Sequence, residues 1–265
     1  DWIVTRSGSE LLQWQEHYRE ALTPLHGEDD IDDNDAVRGF HSLRDLLSQH
    51  LGWNPGDLDH SPESIAAYSK DLPELGETLA PTAVVPAASG DGVQLLVVEL
   101  PPQAAMDQKV ATGDQLWRAS AQERLERLLR ETGVEAGLLF NGSHLRMVVA
   151  PKGESSGHLT FRLADLAEVS GRLMFSGLNL LLGQSHVFLD PDGRRLTDVL
   201  KKSRSFQAVV SNALADQVLA ALWELLRGFQ QADELSQRQD GQLLGELPDR
   251  DPQQLYGGLI TVLMR

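Results

Sequence analysis

The sequence predicts an α/β protein in which a mixed sheet occupies the middle of the chain, with helices before it and a helical bundle after it. Three observations carry that prediction. Residues 93–100 form an apolar run of strand length, residues 121–132 repeat their apolar positions at helical spacing, and residues 137–140 and 145–150 are further apolar runs separated by Asn141-Gly142. On either side of this block the period is helical: Leu11, Trp14, Tyr18 and Leu22, then Val37, Phe40, Leu43, Leu46, Leu47 and Leu51, step by three and four residues. The implied division is a helical element over 1–60, the α/β core over 61–165, and a helical region over 166–265.

Each element follows from local chemistry. Helices are expected over 9–22 and 36–51, the second closed by Gly52 and followed by a turn at Asn54-Pro55-Gly56. A Pro-, Ser- and Asp-rich connection then runs to about residue 79. Strands are expected over 82–85, 93–100, 137–140, 145–150 and 158–163. Asp91-Gly92 and Asn141-Gly142 each read as the central pair of a tight primed turn, which requires positive φ at both positions. Ser120 and Glu123 have the spacing of a capping box at the start of the 121–132 helix. On that helix Arg124, Arg127 and Arg130 interleave with Glu123, Glu126 and Glu131, the pattern of an exposed, salt-bridged face.

Past the sheet, 171–182 reads as an apolar helix ending at Gly183, and 196–202 as a short helical segment. A long helix over 206–233, capped by Ser203 or Ser205, carries Val209, Val210, Leu214, Val218, Leu219, Leu222, Leu225, Leu226 and Phe229 on one broad face. A last helix begins near Pro252. Its apolar run at 259–264 stops in mid-pattern, as in a chain cut from something longer.

Composition narrows the function classes. With 265 residues, 41% of them hydrophobic, the chain can bury a sizeable core. No apolar run approaches the roughly 20 residues of a membrane helix, and the chain opens at Asp1 without a signal-peptide pattern, so a cytoplasmic protein without membrane contact is expected. Zero cysteines exclude disulfides, thiolate nucleophiles and cysteine-based zinc sites. A formal net charge of −16 opposes stand-alone nucleic-acid binding, because duplex affinity comes largely from Lys and Arg neutralising phosphates. The acidic stretch at 28–35 lacks the glycine and closing glutamate of a calcium loop. The eight histidines include no His-Glu-X-X-His element, and Ser155-Ser156-Gly157 is not framed as a nucleophile elbow, so neither a metal site nor a hydrolase triad is expected.

Several ordered segments carry a resemblance: Leu51-Gly52-Trp53, the strand ending Val97-Val98-Glu99, residues 122–133, residues 137–142, and residues 150–157 from Ala150-Pro151-Lys152 to Gly157. From about Phe40 onward the chain resembles the N-terminal region of large bacterial DNA adenine methyltransferases of type IIG restriction-modification and of phage-defence systems such as DISARM. The resemblance implies a restriction-endonuclease-like mixed sheet. In that fold the central strand ends in acid-X-Lys, where the acid holds a divalent metal and the lysine orients water; Glu99 stands in the acid position, and Pro101 replaces the lysine. The preceding strand, 80–86, offers no carboxylate. Gln122 matches a glutamine that begins the following helix.

The relic nuclease positions are therefore Glu99 and Gln122, and a nuclease with displaced ligands would draw on Asp91, Asp107 and Lys109. Only such a live nuclease would need Mg2+. The parent methyltransferase would use S-adenosylmethionine, but its Asn-Pro-Pro-aromatic tetrapeptide and Gly-rich cofactor loop are absent; Asn54-Pro55 is followed by Gly56. No cofactor is expected in this chain. Arg194, Arg195, Lys201, Lys202 and Arg204 form the one local excess of positive charge and are the candidate DNA contacts. The expected role is a non-cleaving region that positions DNA or docks a defence-system partner subunit. An acidic protein-interaction module and an active metal-dependent nuclease are the alternatives.

Overall fold

The structure, a computed structural model, describes residues 8–25, 37–90, 92–111, 117–191, 193–237 and 251–263. The acidic stretch at 28–35, Asp91 and the end of the last helix lie outside the described residues. Two compact units divide the chain, Asp1–Val199 and Leu200–Arg265.

In the first unit, α1 (Gly8–Ala21) buries Tyr18, whose hydroxyl donates to the Leu163 carbonyl at 2.9 Å. Two-residue strands follow, β1 (Thr23–Pro24) paired antiparallel with β2 (Arg38–Gly39). The helix expected from residue 36 starts only at α2 (Leu43–His50). The reason is tertiary: the Phe40 amide donates to the Gly142 carbonyl at 3.0 Å, and a Cβ on Gly39 would fall 2.1 Å from that same oxygen. The backbone is held extended against a distant turn until Ser42, and Leu43, Leu46, Leu47 and His50 then form the buried stripe of α2.

The connection up to residue 79 is more ordered than its composition suggests. Ser61 caps α3 (Pro62–Ala67) by accepting from the Ser64 amide, and proline occupies the first helical turn. An antiparallel hairpin follows, β3 (Lys70–Leu72) with β4 (Glu77–Leu79), and it places Leu72 and Leu79 in the core.

The central layer is a five-stranded mixed sheet. In chain order its region contains β5 (Ala83–Pro86), β6 (Val93–Glu99), the small hairpin β7 (Val110–Ala111) and β8 (Arg118–Ala119), α4 (Ala121–Thr132), β9 (Ala136–Phe140), β10 (His144–Val149) and β11 (Gly157–Arg162). The spatial order is β11-β10-β9-β6-β5; β6 and β9 are parallel, and the other neighbours are antiparallel. A parallel pair needs a crossover, and α4 lies in it. Leu125, Leu128 and Leu129 of α4 pack with Leu96, Leu139 and Val148 of the sheet, so the even-numbered residues of β6 face α4. Ser120 and Glu123 make both bonds of the expected capping box, and Gly133 closes the helix at φ 77° with its amide on the Leu129 carbonyl. The exposed face carries the expected local pairs Arg127–Glu131 and Arg130–Glu126, whereas Arg124 reaches Glu77 on β4 at 2.7 Å.

Neither hairpin centres its turn on the expected pair: the closing bonds run from the Ala87 amide to the Gly92 carbonyl and from the Asn141 amide to the His144 carbonyl. The link between β5 and β6 spans 87–92, with Gly90 and Gly92 at positive φ. At the second, Gly142 has φ 82° while Asn141 keeps negative φ and works through its side chain: its Oδ1 accepts from the amides of Ser143 and His144. A short α5 (Leu163–Leu166) and α6 (Arg172–Leu182) follow the sheet, and Trp53 donates to the Leu182 carbonyl at 2.6 Å.

A single helix, α7 (Leu196–Gln237), replaces the two helices expected over 196–202 and 206–233. Ser205 does not cap; its hydroxyl donates back to the Lys202 carbonyl at 2.8 Å inside the helix. No proline or glycine interrupts residues 196–227, so nothing in the backbone forces a break. In the second unit Leu222 of α7 and Leu259 of α8 (Pro252–Leu263) are buried, while Val210, Leu214 and Leu219 of the expected apolar face are exposed.

Candidate functional site

Glu99 and Gln122, the two positions singled out by the resemblance, lie on opposite sides of the sheet. Glu99 shares its face of β6 with Leu95 and Val97, opposite the residues that meet α4. There its Oε2 accepts from the Leu43 amide at 3.3 Å, at the first residue of α2. The N-cap residue Ser42 makes no side-chain cap bond, so a carboxylate from a neighbouring strand satisfies an orphan amide and meets the positive end of the helix dipole. Thr82 holds the backbone of the same residue, its hydroxyl accepting from the Glu99 amide at 2.9 Å.

Gln122 belongs to the other face. It is part of a polar network centred on Arg146, a strand residue that pairs with Leu139 on one side and Thr160 on the other. Arg146 is buried among polar partners. Its Nε donates to the Thr160 hydroxyl at 2.8 Å, its Nη2 to Asp107 Oδ2 at 2.9 Å, and its Nη1 to both Asp107 Oδ1 and Gln122 Oε1. The Gln122 amide continues to Glu126 at 2.9 Å and stands 3.1 Å from His158 Nδ1. A buried guanidinium demands such partners, because a desolvated charge left bare costs several kcal/mol. Bonding to Arg146 holds the Asp107 carboxyl below the usual carboxylate range.

Arg146 lines a cleft of about 350 Å3 together with Asp107, Ser143, His144 and Arg162. Burial, with Arg162 and Arg146 nearby, pulls the His144 imidazole below its ordinary value. Arg162 is largely exposed and meets Asp165 at 3.8 Å. The loop behind the cleft is pinned by Gln103, which holds φ 60°, donates from its amide to the Asn141 carbonyl at 2.8 Å and from its side chain to the Leu25 carbonyl at 2.7 Å. An apolar cleft of about 430 Å3, lined by Leu79, Val98, Leu100 and Leu128, carries the Arg124–Glu77 pair.

Of the sequence-derived candidates, Asp107 and Gln122 are brought together, but by an arginine. Lys109 pairs with Glu123 at 2.6 Å, and Asp91 lies outside the described residues. Among the described residues no group of three or more His, Asp or Glu is placed to hold a metal ion. Glu99 and Asp107, committed to an amide and a guanidinium, do not converge on one cation as Mg2+ coordination requires. The basic group divides between the units. Arg194 and Arg195 belong to the first, where Arg195 donates to the Asp190 carbonyl at 2.8 Å; Lys201, Lys202 and Arg204 belong to the second, with both lysines exposed.

Sequence reasoning missed Arg146. Its signal was a single charge inside the otherwise apolar strand of 145–150, where a cation has to find a countercharge. No protein-family model, curated protein or solved structure matches the chain.

Proposed function

We propose that this chain is a non-cleaving, nuclease-like region of a larger bacterial DNA adenine methyltransferase, working in the cytoplasm to position DNA or dock a partner subunit. The observation that carries the reading is the use of Glu99: its carboxylate serves the first amide of α2. The strand–helix–strand unit β6–α4–β9, with parallel outer strands, supports the nuclease-like part of the reading. S-adenosylmethionine chemistry belongs to the rest of the parent, and the DNA contact to Arg194, Arg195, Lys201, Lys202 and Arg204.

The test is incubation with supercoiled plasmid and magnesium or manganese, alongside calorimetric titration with S-adenosylmethionine. Intact plasmid and no saturable heat are expected. Nicking that disappears in Glu99→Ala overturns the reading in favour of a live nuclease. Binding of duplex DNA at low salt that is lost on reversing Lys201, Lys202 and Arg204 to glutamate supports DNA positioning. Unchanged DNA affinity in that variant favours the second reading, a protein-interaction module, which the net charge of −16 supports.

A further inference from the structure

The Arg146–Asp107 pair is asymmetric in a way that an ordinary structural ion pair is not. The arginine side chain is 9% exposed and fixed by the sheet and α4, whereas the aspartate side chain is 71% exposed and arrives from a loop. Asp107 fills the fork of the guanidinium with two oxygens, one on Nη1 and one on Nη2. A guanidinium fork takes a phosphate in the same two-bond geometry as a carboxylate. The fork borders the 350 Å3 cleft, where Arg162 adds a second cation, and the Ser143 hydroxyl is 2.8 Å from His144 Nδ1.

We propose that Arg146 anchors a phosphate-accepting site in this cleft, flanked by Arg162, in which the Asp107 carboxylate stands in for the ligand anion. A desolvated guanidinium cannot be left bare, so the carboxylate leaves only as another anion arrives. Its own exposure makes that exchange feasible, because Asp107 returns to water while the arginine stays where it is. As a tethered competitor at an effective concentration on the order of millimolar, it also weakens the site for free ligand. The site does not rest on the methyltransferase reading. The phosphate is borne either by a nucleic-acid strand or by a small phosphate ester, and the choice of probe separates them.

The experiment is calorimetric titration of the full chain with inorganic phosphate at constant ionic strength, and separately with a short DNA duplex with and without 5′-phosphates. The proteins are the wild type, Asp107→Asn, Arg162→Gln and Asp107→Asn combined with Arg146→Lys, each checked by circular dichroism. Asp107→Asn is expected to bind inorganic phosphate about tenfold more tightly than the wild type, because the competing charge is gone. Arg162→Gln is expected to weaken binding, and the double variant to lose the gain, since a lysine lacks the two-bond fork. Asp107 and Arg162 are exposed, so those two variants decide the matter even if the double variant fails to fold. Equal phosphate affinity in wild type and Asp107→Asn, or no binding by either, overturns the proposal. A gain for inorganic phosphate with none for the duplex keeps the site and assigns it to small phosphate esters. A gain for the 5′-phosphorylated duplex assigns it to nucleic-acid ends.

Discussion

Two buried polar centres in the first unit solve the same desolvation problem in opposite ways. Arg146 keeps its charge and engages every nitrogen of its guanidinium. His50, at the end of α2, is 2% exposed, and neither ring nitrogen has a hydrogen-bond partner among the described residues; its neighbours are the rings of His17, Tyr18 and Phe40 at 5.1–5.5 Å. Burial, with a smaller contribution from His17, lowers its pKa to about 4. The arginine cannot shed its proton and so recruits partners, while the imidazole sheds its proton and becomes part of an aromatic cluster. The sequence chemistry of each residue decides which solution is open to it.

The largest expected effect removes the compensated centre. Arg146→Ala leaves Gln122 and Thr160 without their donor and opens a void between α4 and the sheet. A loss of about 3–4 kcal/mol is expected, read as a lower urea midpoint at unchanged slope. A loss below about 1 kcal/mol, the level of an exposed pair, would mean that the network is a surface ion pair and would erase the contrast.

Acid titration breaks the other centre. The folded pKa of His50 lies below its unfolded value of 6.5, so below that pH the unfolded chain takes up the proton more readily. The stability tied to neutral His50 is complete above pH 6.5 and is lost as pH falls from 6.5 to about 4; below that both states are protonated and the loss stops. The gap amounts to about 3 kcal/mol. His50→Phe is expected to flatten this limb while leaving neutral-pH stability within about 1 kcal/mol, as measured by thermal melts across the range. Asp107 gives a separate limb at lower pH: its depressed carboxyl stabilises the fold above its ordinary range, and that contribution fades as pH falls through the depressed value. Asp107→Asn removes only this lower limb, and a change between pH 6.5 and 4 in that variant would merge two centres that the geometry keeps apart.

The contrast also explains what was legible in the sequence. The helix α4 could be read residue by residue, because its capping box, apolar spacing and closing Gly133 all act within a few positions. The five main strands emerged to within a residue or two for the same reason. The Arg146 network could not, since its partners lie 14, 24 and 39 positions away and only the sheet and the α4 crossover bring them together. The late start of α2 depends on a contact between Gly39 and Gly142. Glu99 was visible as an acid at a strand end; that its target is the amide of Leu43, 56 positions earlier, is a property of the packed fold.

Glu99 supplies the smallest and most discriminating test, because it lies between the two extremes: half-buried, bonded through one carboxylate oxygen to a helix amide. If its role is to satisfy that amide, Glu99→Gln keeps an acceptor of the same shape and loses only the attraction between a negative charge and the helix N-terminus. The expected cost is about 0.5 kcal/mol, and Glu99→Ala, which removes the acceptor as well, is expected to cost about 1 kcal/mol more. A metal ligand behaves differently: without added metal its substitution relieves repulsion or changes nothing, and with millimolar magnesium the wild type gains stability that the variant does not. Urea melts of the three proteins with and without magnesium therefore separate the roles. A graded loss that ignores the ion is the expected pattern, and a wild-type-specific gain on adding magnesium would return Glu99 to the metal chemistry that the resemblance implies.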